Sequence, residues 1–229
     1  MLKIKFLRIN LPEGLDSTYQ YLVGSPFERD GQSGFDTISF LQDHVEARFT
    51  EQTVTKEQVT DPFGDVQEIV AVRYITTEFA IFNFKGTHVL ALKNPSRNVN
   101  ALVKKLSILV GADFYASTIT TDIERFGRYV SENFTVHPLI AAKVFASNLT
   151  LDGHCTANVE LLSTINALSD LKLHFPSQEM QIDRARFSIT DHGKKSQLEI
   201  KSTGVVGITG EKRKQLEDLV IKFIEQLFN

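Results

Sequence analysis

The chain has no tryptophan, a single cysteine (Cys155) and two methionines in 229 residues, and it contains no long apolar run. One cysteine cannot form an intramolecular disulfide and is typical of proteins in reducing compartments. No stretch of about 20 apolar residues is available for a transmembrane helix, and the first residues, MLKIKFLRINL, lack the apolar segment of a signal peptide. We therefore expect a soluble intracellular protein, cytoplasmic or nuclear, with no membrane partner.

The chain also lacks an excess of positive charge. Its 25 Lys and Arg residues stand against 28 Asp and Glu residues, which gives a formal net charge of −3 and a pI near 6.1. A chain of this kind has no global positive field, so a nucleic acid would have to bind a local basic patch. Two candidate patches are Arg184 with Arg186 on one strand face, and the basic run 212–214 at the start of the last helix.

Signatures of catalysis and of metal binding are missing as well. The six histidines show no metal-ligand spacing, and the segment GITGEKRK lacks the spacing of a phosphate-binding loop. The sequence therefore predicts no catalytic residue, no metal and no cofactor.

Apolar periodicity in the first half predicts strands that alternate every two residues and helices with apolar positions three and four apart. Residues 10–35 are rich in Gly, Pro, Ser and Asp and are expected to form a loop with at most one short helix. The predicted elements are strands at 2–9, 67–76, 78–84 and 87–93, a polar loop or exposed hairpin at 51–66, and helices at 37–48 and 95–110, the second with Asn94 as its N-cap and Gly111 at its end.

The second half is predicted in the same way. The last 34 residues combine an alternating strand, a glycine turn, a second strand and a long helix whose apolar stripe runs from Leu216 to Phe228. Upstream of them we expect a connecting helix at 122–130, a strand at 137–153 with Gly153 in its turn, a helix at 156–170 capped by Thr156, strands at 171–175 and 180–190, and a turn at 191–193.

A weak internal repeat relates the two halves. Residues 78–111 align without a gap on residues 196–229, and Gly86 then falls on Gly204. The apolar positions of the strands and of the helix stripe coincide, although few residues are identical. We predict two similar halves, 1–112 and 134–229, joined by a helical connector at 113–133.

Residues 203–212, TGVVGITGEK, resemble the end of each repeat of the TATA-binding protein fold, where a strand leads into SGK-V-V-x-TGAK and a helix on the convex face. Residues 146–168 look like the strand and first helix of such a repeat, so the resemblance covers 145–229, with a fainter copy at 78–111. It implies an α+β fold with a duplicated antiparallel sheet, long helices on one face, and a concave sheet face that binds the minor groove of double-stranded DNA.

Strand alternation assigns residues to that concave face. If the helices cover Ala80, Phe82, Leu90, Leu198, Ile200 and Ile208, the opposite face carries an apolar set in the first half and a polar set in the second. The residues expected to contact nucleic acid or another partner are Phe79, Ile81, Asn83, Val89, Arg184, Arg186, Lys201 and Thr209. The chain departs from the family at Asn83 and Lys201, which stand where a wedging phenylalanine is expected.

Two other functions remain open. The apolar set Phe79, Ile81 and Val89 would also suit a protein-interaction subunit, in a larger complex or a homodimer, because monomers seldom expose such a patch. In addition, Asp183 with Glu199 and Lys201 has the outline of a metal-dependent nuclease of the PD-(D/E)xK type. The leading prediction is a non-enzymatic DNA-binding module of the transcription-factor kind.

Overall fold

The structure is a computed structural model that describes residues 1–29, 31–41, 43–60, 62–96, 99–134, 139–152, 154–176, 178–191 and 193–228. Within these ranges it contains eleven strands and five helices, and the long strands pair antiparallel. The predicted α+β class is therefore confirmed. No helix in the described ranges is long and apolar enough to cross a membrane.

The elements follow one another along the chain with these bounds. The strands are β1 (Leu2–Ile9), β2 (Ser33–Leu41), β3 (His44–Thr60), β4 (Val66–Phe84), β5 (Thr87–Lys93), β6 (Ala116–Thr118), β7 (Leu139–Asp152), β8 (Cys155–Leu162), β9 (Gln181–Asp191), β10 (Lys194–Lys201) and β11 (Val205–Thr209). The helices are α1 (Gly14–Val23), α2 (Asn100–Val110), α3 (Ile123–Asn133), α4 (Ala167–His174) and α5 (Arg213–Gln226).

The chain divides into two compact units. The N-terminal unit is Arg8–Ala116, and the C-terminal unit is Met1–Leu7 together with Ser117–Asn229, so the first strand contributes most of its length to the C-terminal unit. The N-terminal unit contains the strand order β2-β3-β4-β5, and the C-terminal unit contains β1-β11-β10-β9-β7-β8.

The sheet of the C-terminal unit buries one face beneath α3 and α5. Leu198, Ile200 and Ile208 point to that face, as alternation predicts, and none of the three is exposed. The rings of Phe126 on α3 and Phe223 on α5 meet at 4.9 Å, and Phe126 also contacts Phe187 on β9. The predicted apolar stripe of α5 is confirmed by the burial of Leu216, Leu219, Val220, Phe223 and Ile224.

The sheet of the N-terminal unit has an aromatic core of its own. Phe35 on β2 contacts Phe49 on β3 and Phe79 on β4, with ring centroids 5.3 and 6.0 Å apart. Helix α1 lies on this side of the sheet, because the rings of Tyr19 on α1 and Phe40 on β2 are 5.3 Å apart. The predicted strands 67–76 and 78–84 are one continuous strand, β4, and residues 51–66 belong to an exposed hairpin.

The helix predicted at 37–48 is wrong, because these residues form the hairpin of β2 and β3. Val45, Ala47 and Phe49 are buried at every second position, and Phe40 pairs with Val45 across the hairpin. Their spacing with Ile38 and Leu41 also fits a helix, so the sequence alone could not separate the two periods. The burial of alternate residues against β4 shows that this segment is a strand.

Two other helix predictions are displaced. Helix α2 begins at Asn100, since Asn94 has φ +46° and so lacks the extended backbone of an N-cap. Thr156 does not cap a helix, because residues 155–162 form strand β8 and Thr156 pairs with Thr150. The helix there is α4, whose cap is Asn166, and it includes residues 171–174 of the segment that was predicted to be a strand.

The connecting helix and the turn glycines agree with the sequence. Asp122 caps α3 by accepting hydrogen bonds from the N–H groups of Glu124 and Arg125, at 2.9 and 3.0 Å. Gly86 and Gly204 both have positive φ, +87° and +69°, as the alignment of the two turns requires. The predicted turns at Gly153 and at His192 lie outside the described residues.

Candidate nucleic-acid interface

The face of the C-terminal sheet that α3 and α5 leave open carries four of the eight predicted contact residues. The register between strands fixes which side chains are neighbours, because residues opposite each other on antiparallel strands point to the same side. Two adjacent rows cross the sheet from β1 to β8. The first row is Lys5, Val205, Lys201, Arg184, Phe145 and Glu160, and the second is Lys3, Gly207, Glu199, Arg186, Lys143 and Leu162.

These two rows, named here the basic face, contain six cations and two carboxylates. The cations are Lys3, Lys5, Lys143, Arg184, Arg186 and Lys201, and the carboxylates are Glu160 and Glu199. Since strands lie about 4.8 Å apart, the charges from β1 to β9 span about 14 Å across the sheet. A chain with net charge −3 thus concentrates positive charge on one surface.

Glu160 joins two cations of the basic face. Its carboxylate lies 2.6 Å from Lys143 Nζ and 3.4 Å from an Arg184 Nη atom. The hydrogen bond from Lys143 and the charges of Lys143, Arg184 and Arg186 lower the pKa of Glu160. Arg184 also lies over the Phe145 ring, 5.8 Å from its centroid. The guanidinium is therefore held near the sheet surface, while about a third of its side chain remains exposed.

Glu199 is held by Arg186. The guanidinium of Arg186 donates from Nε and Nη2 to one carboxylate oxygen, at 3.1 and 2.9 Å. Lys201 is two residues further along β10, is exposed, and has no ion pair with any residue of the described chain. Thr209, on β11, is half-buried on the same side of the sheet, opposite Gln197.

The structure therefore brings four of the predicted contact residues together on one face: Arg184, Arg186, Lys201 and Thr209. The chain matches no family model and no curated protein. What the basic face does must therefore be inferred from its own geometry and charge.

The prediction that Phe79 and Ile81 lie on an open face is wrong. Their side chains are 2 and 0 % exposed, and they point to the side of the sheet on which α1 lies, with Phe35 and Phe49. Alternation alone cannot tell which of two apolar faces the helices cover. The gapless alignment with the second half assigns the wrong face to Phe79 and Ile81, because the two hairpins differ in register.

That register difference comes from the length of the turns. In the second hairpin Lys201 pairs with Val205 across a three-residue loop, whereas in the first hairpin Phe84 pairs with Thr87 across the two residues Lys85 and Gly86. A shift of one residue moves a side chain to the other face. Leu90 is therefore opposite Ile81, and Val89 is opposite Phe82.

Val89 and Asn83, the other two contact residues predicted in the first half, differ in exposure. Val89 does lie on the side away from α1, but it is fully buried beneath neighbours, among which Phe82 and Phe84 stack on each other at 5.4 Å. Asn83 is exposed, yet its Oδ1 accepts a hydrogen bond from the Gly86 N–H at 2.9 Å, which stabilises the turn. All four first-half contact residues thus have structural surroundings that explain them.

Of the three residues of the nuclease outline, Glu199 and Lys201 point to the basic face. Asp183 lies where the register between β9 and β7 shifts, between Ile182 and Arg184, so alternation does not assign its side chain to a face. Asp183 accepts a hydrogen bond from the Gln181 amide at 2.8 Å. In the part of the chain that the structure describes, no group of three His, Cys, Asp or Glu side chains could hold a metal ion.

Sequence reasoning missed three cations and one carboxylate of the basic face. Lys3 and Lys5 alternate with apolar residues in a strand that was correctly predicted, but nothing local shows that this strand pairs with β11. Lys143 and Glu160 belong to β7 and β8, of which β8 was predicted as a helix. Alternating lysines in the first strand were the only available signal.

Proposed function

We propose that the basic face binds nucleic acid, in the first place double-stranded DNA, and that the protein is a non-enzymatic binding module of the transcription-factor kind. The observation that carries the proposal is the gathering of six cations and two carboxylates in two adjacent rows of one open sheet face. Phosphate contacts of Lys and Arg provide most of the affinity in non-specific nucleic-acid binding. The side chains of Arg184 and Arg186 are 34 and 41 % exposed, and Lys201 is exposed as well.

The composition of the face favours contact with the phosphate backbone. Its one aromatic ring in the two rows, Phe145, lies beneath Arg184, so it is not placed as a wedge between base steps. Thr209 and Gln197 offer side-chain groups that can donate to and accept from base edges. We expect binding with modest sequence preference and without the strong kink that wedging phenylalanines produce.

The order of elements supports a duplicated saddle as the finer fold. The N-terminal unit continues from β1 through α1, the meander β2-β3-β4-β5 and α2. The C-terminal unit begins with β6 and α3 and ends with α5. Between them, strands β7, β9, β10 and β11 are neighbours in the sheet, and β8 and α4 are inserted in the chain after β7. In both, a strand and a helix precede an antiparallel meander and a final helix, as the resemblance to the TATA-binding protein fold implies.

The test is binding of a labelled mixed-sequence duplex and of the matching single strand, followed by fluorescence anisotropy at several salt concentrations. Wild type is compared with Lys201→Glu and with Lys222→Glu, which makes the same charge change on α5, on the opposite side of the same sheet. We expect salt-sensitive binding that Lys201→Glu weakens about tenfold, while Lys222→Glu changes it little. Loss of one phosphate contact should also lower the salt slope by about one.

Two results would overturn the proposal: absence of binding at low salt, or equal weakening by the two substitutions. If the protein prefers the single strand, the basic face remains the proposed binding surface, but its ligand is a single-stranded nucleic acid. The same assay with Mg²⁺ tests the nuclease hypothesis, which requires duplex cleavage that Glu199→Ala abolishes.

A further inference from the structure

The hairpin of β3 and β4 extends far beyond the strands on either side of it. Its two strands pair over seventeen consecutive positions, from His44 with Phe82 to Thr60 with Val66, without a register shift. In the described chain, β5 pairs with β4 only over Glu78–Phe84, and β2 pairs with β3 only as far as Glu51. Residues 52–60 and 66–74 therefore form a two-stranded ribbon, named here the arm, and the outer edge of β4 has no strand partner in the described chain over residues 66–77.

One face of the arm is apolar and exposed. Val54, Val66, Val70, Val72 and Tyr74 all point to it, and each is between 48 and 60 % exposed. Within the chain, Tyr74 contacts Phe27, with ring centroids 6.0 Å apart. An isolated two-stranded ribbon is at best marginally stable in water, and contiguous exposed apolar side chains mark interaction surfaces, so we expect the arm to associate with a partner.

The outer edge of β4 is open to strand pairing. Over residues 66–77, VQEIVAVRYITT, it has no proline, no lysine and no bulge, which are the usual features that block edge-to-edge association. The outer edge of β3 differs, since residues 52–60 include Lys56 and Glu57 side by side. Pairing through β4 alone joins two chains and then stops, because each chain offers this stretch of edge once.

The charges on this edge suit a second copy of the same chain. A two-fold interface brings a surface against itself, so like charges must not meet. The segment Val66–Thr76 has Ala71 at its centre, and antiparallel pairing about that residue places Val70 opposite Val72, Glu68 opposite Tyr74 and Arg73 opposite Ile69. On the apolar face the only charges in the ribbon are Lys56 and Glu68, which already form an ion pair at 3.0 Å.

We propose that two copies of this chain associate through their arms, with the outer edges of β4 paired antiparallel about Ala71. The dimer continues each ribbon into a four-stranded sheet and sets Val70 and Val72 beside their counterparts, which lowers the exposure of these side chains. It also links two basic faces in one particle, which would increase avidity for a long nucleic acid. The interface itself does not depend on the nucleic-acid proposal.

The first test uses the full chain with Cys155→Ser, so that no native thiol remains, and adds one cysteine to the arm. In the proposed dimer Ala71→Cys brings two thiols together across the two-fold axis. The control, Thr55→Cys, lies opposite Ala71 on β3, which places the two thiols of a dimer about 14 Å apart. We expect mild oxidation to link the Ala71→Cys chains and to leave the Thr55→Cys chains unlinked.

The second test fixes the register by sedimentation velocity. Val70→Glu with Val72→Glu opposes carboxylates twice in the dimer and should raise its dissociation constant at least about 100-fold. Val70→Glu with Val72→Lys opposes Glu with Lys twice and should restore the dimer. A monomeric wild type, a filament, cross-linking at position 55 instead of 71, or failure of the charge swap to restore association would each overturn the proposal.

Discussion

At the scale of single residues, the two carboxylates of the basic face pair with its own cations. Glu160 pairs with Lys143 and Arg184, and Glu199 pairs with Arg186, so at least three of the six cations take part in ion pairs within the protein. In the proposed function, an anionic ligand must displace these carboxylates or bind beside them. We therefore expect its affinity to depend on the internal ion pairs as well as on the number of cations.

Glu160→Gln should strengthen duplex binding about threefold, because it releases two cations and removes a charge that repels phosphate. Since the pKa of Glu160 is lowered, wild-type Glu160 stays ionised from pH 5.5 to 8, and the gain should be constant over that range. Anisotropy titrations at several pH values measure it, with Glu132→Gln on α3 as the control. A gain that shrinks toward pH 5.5 would show Glu160 becoming protonated there and contradict the expectation.

Gly210 is the second residue whose role can be tested. It has φ +95°, and a Cβ atom there would lie 2.5 Å from the Lys195 carbonyl oxygen, whereas Gly193, with φ +79°, has open space around it. Gly193→Ala should lower the free energy of unfolding by about 1 kcal/mol through backbone strain alone, and Gly210→Ala by about 3 kcal/mol. Urea denaturation measures both changes in the free energy of unfolding. Equal losses for the two variants would show that the backbone near Lys195 can move away from residue 210.

At the scale of elements, the aromatic contacts between α3 and α5 hold the helix layer on the C-terminal sheet. Phe223 is fully buried, with its ring 4.9 Å from Phe126 and 5.3 Å from Tyr129. Close packing at Gly127, where a Cβ would touch the Phe187 ring at 3.0 Å, brings α3 against β9. This layer supports the basic face from behind.

Phe223→Ala should therefore lower the free energy of unfolding by about 3 to 5 kcal/mol, through lost burial and a cavity that rigid neighbours cannot fill. Lys222→Ala, at the exposed neighbouring position on α5, should change it by less than about 0.5 kcal/mol. Chemical denaturation monitored by circular dichroism compares the two. A loss below about 1 kcal/mol for Phe223→Ala would mean that α5 is not anchored by this ring.

At the scale of the whole molecule, charge is distributed unevenly between the units. The C-terminal unit contains 15 Lys and Arg against 14 Asp and Glu, and the N-terminal unit 10 against 14, which gives +1 and −4 for the two units. The net charge of −3 thus conceals a unit that is close to neutral overall and carries a concentrated basic face. Global charge is a poor guide to where an anion binds.

Lys85→Glu, in the turn between β4 and β5 of the N-terminal unit, should then change duplex affinity less than about twofold at 0.15 M salt, where charges are screened beyond about 8 Å. Lys201→Glu makes the same change in charge on the basic face and should cost about tenfold. Anisotropy titrations at equal salt compare the duplex affinities of the two variants. They distinguish a local contact with the basic face from an effect of the protein's total charge. Equal effects of the two substitutions would argue for the general field.

The sequence by itself determined the local elements whose signals agree with one another. The strand at 2–9, the turn glycines Gly86 and Gly204, the connecting helix at 122–130 and the apolar stripe of α5 each depend on neighbours close in the chain, and all are found in the structure. Residues 37–48 and 156–162 failed because their apolar residues fit a helix and a strand equally well, and only pairing with β4 and β7 favours the strand.

Tertiary structure alone decided which side chains share a face. The pairing of β1 with β11 adds Lys3 and Lys5 to the basic face, although some 200 residues separate them in sequence. The two-residue turn of the first hairpin places Leu90 opposite Ile81 and Val89 opposite Phe82, and Phe79 and Ile81 are buried on the side where α1 lies. Register and layer order arise from contacts between distant segments, and periodicity along one segment contains no information about them.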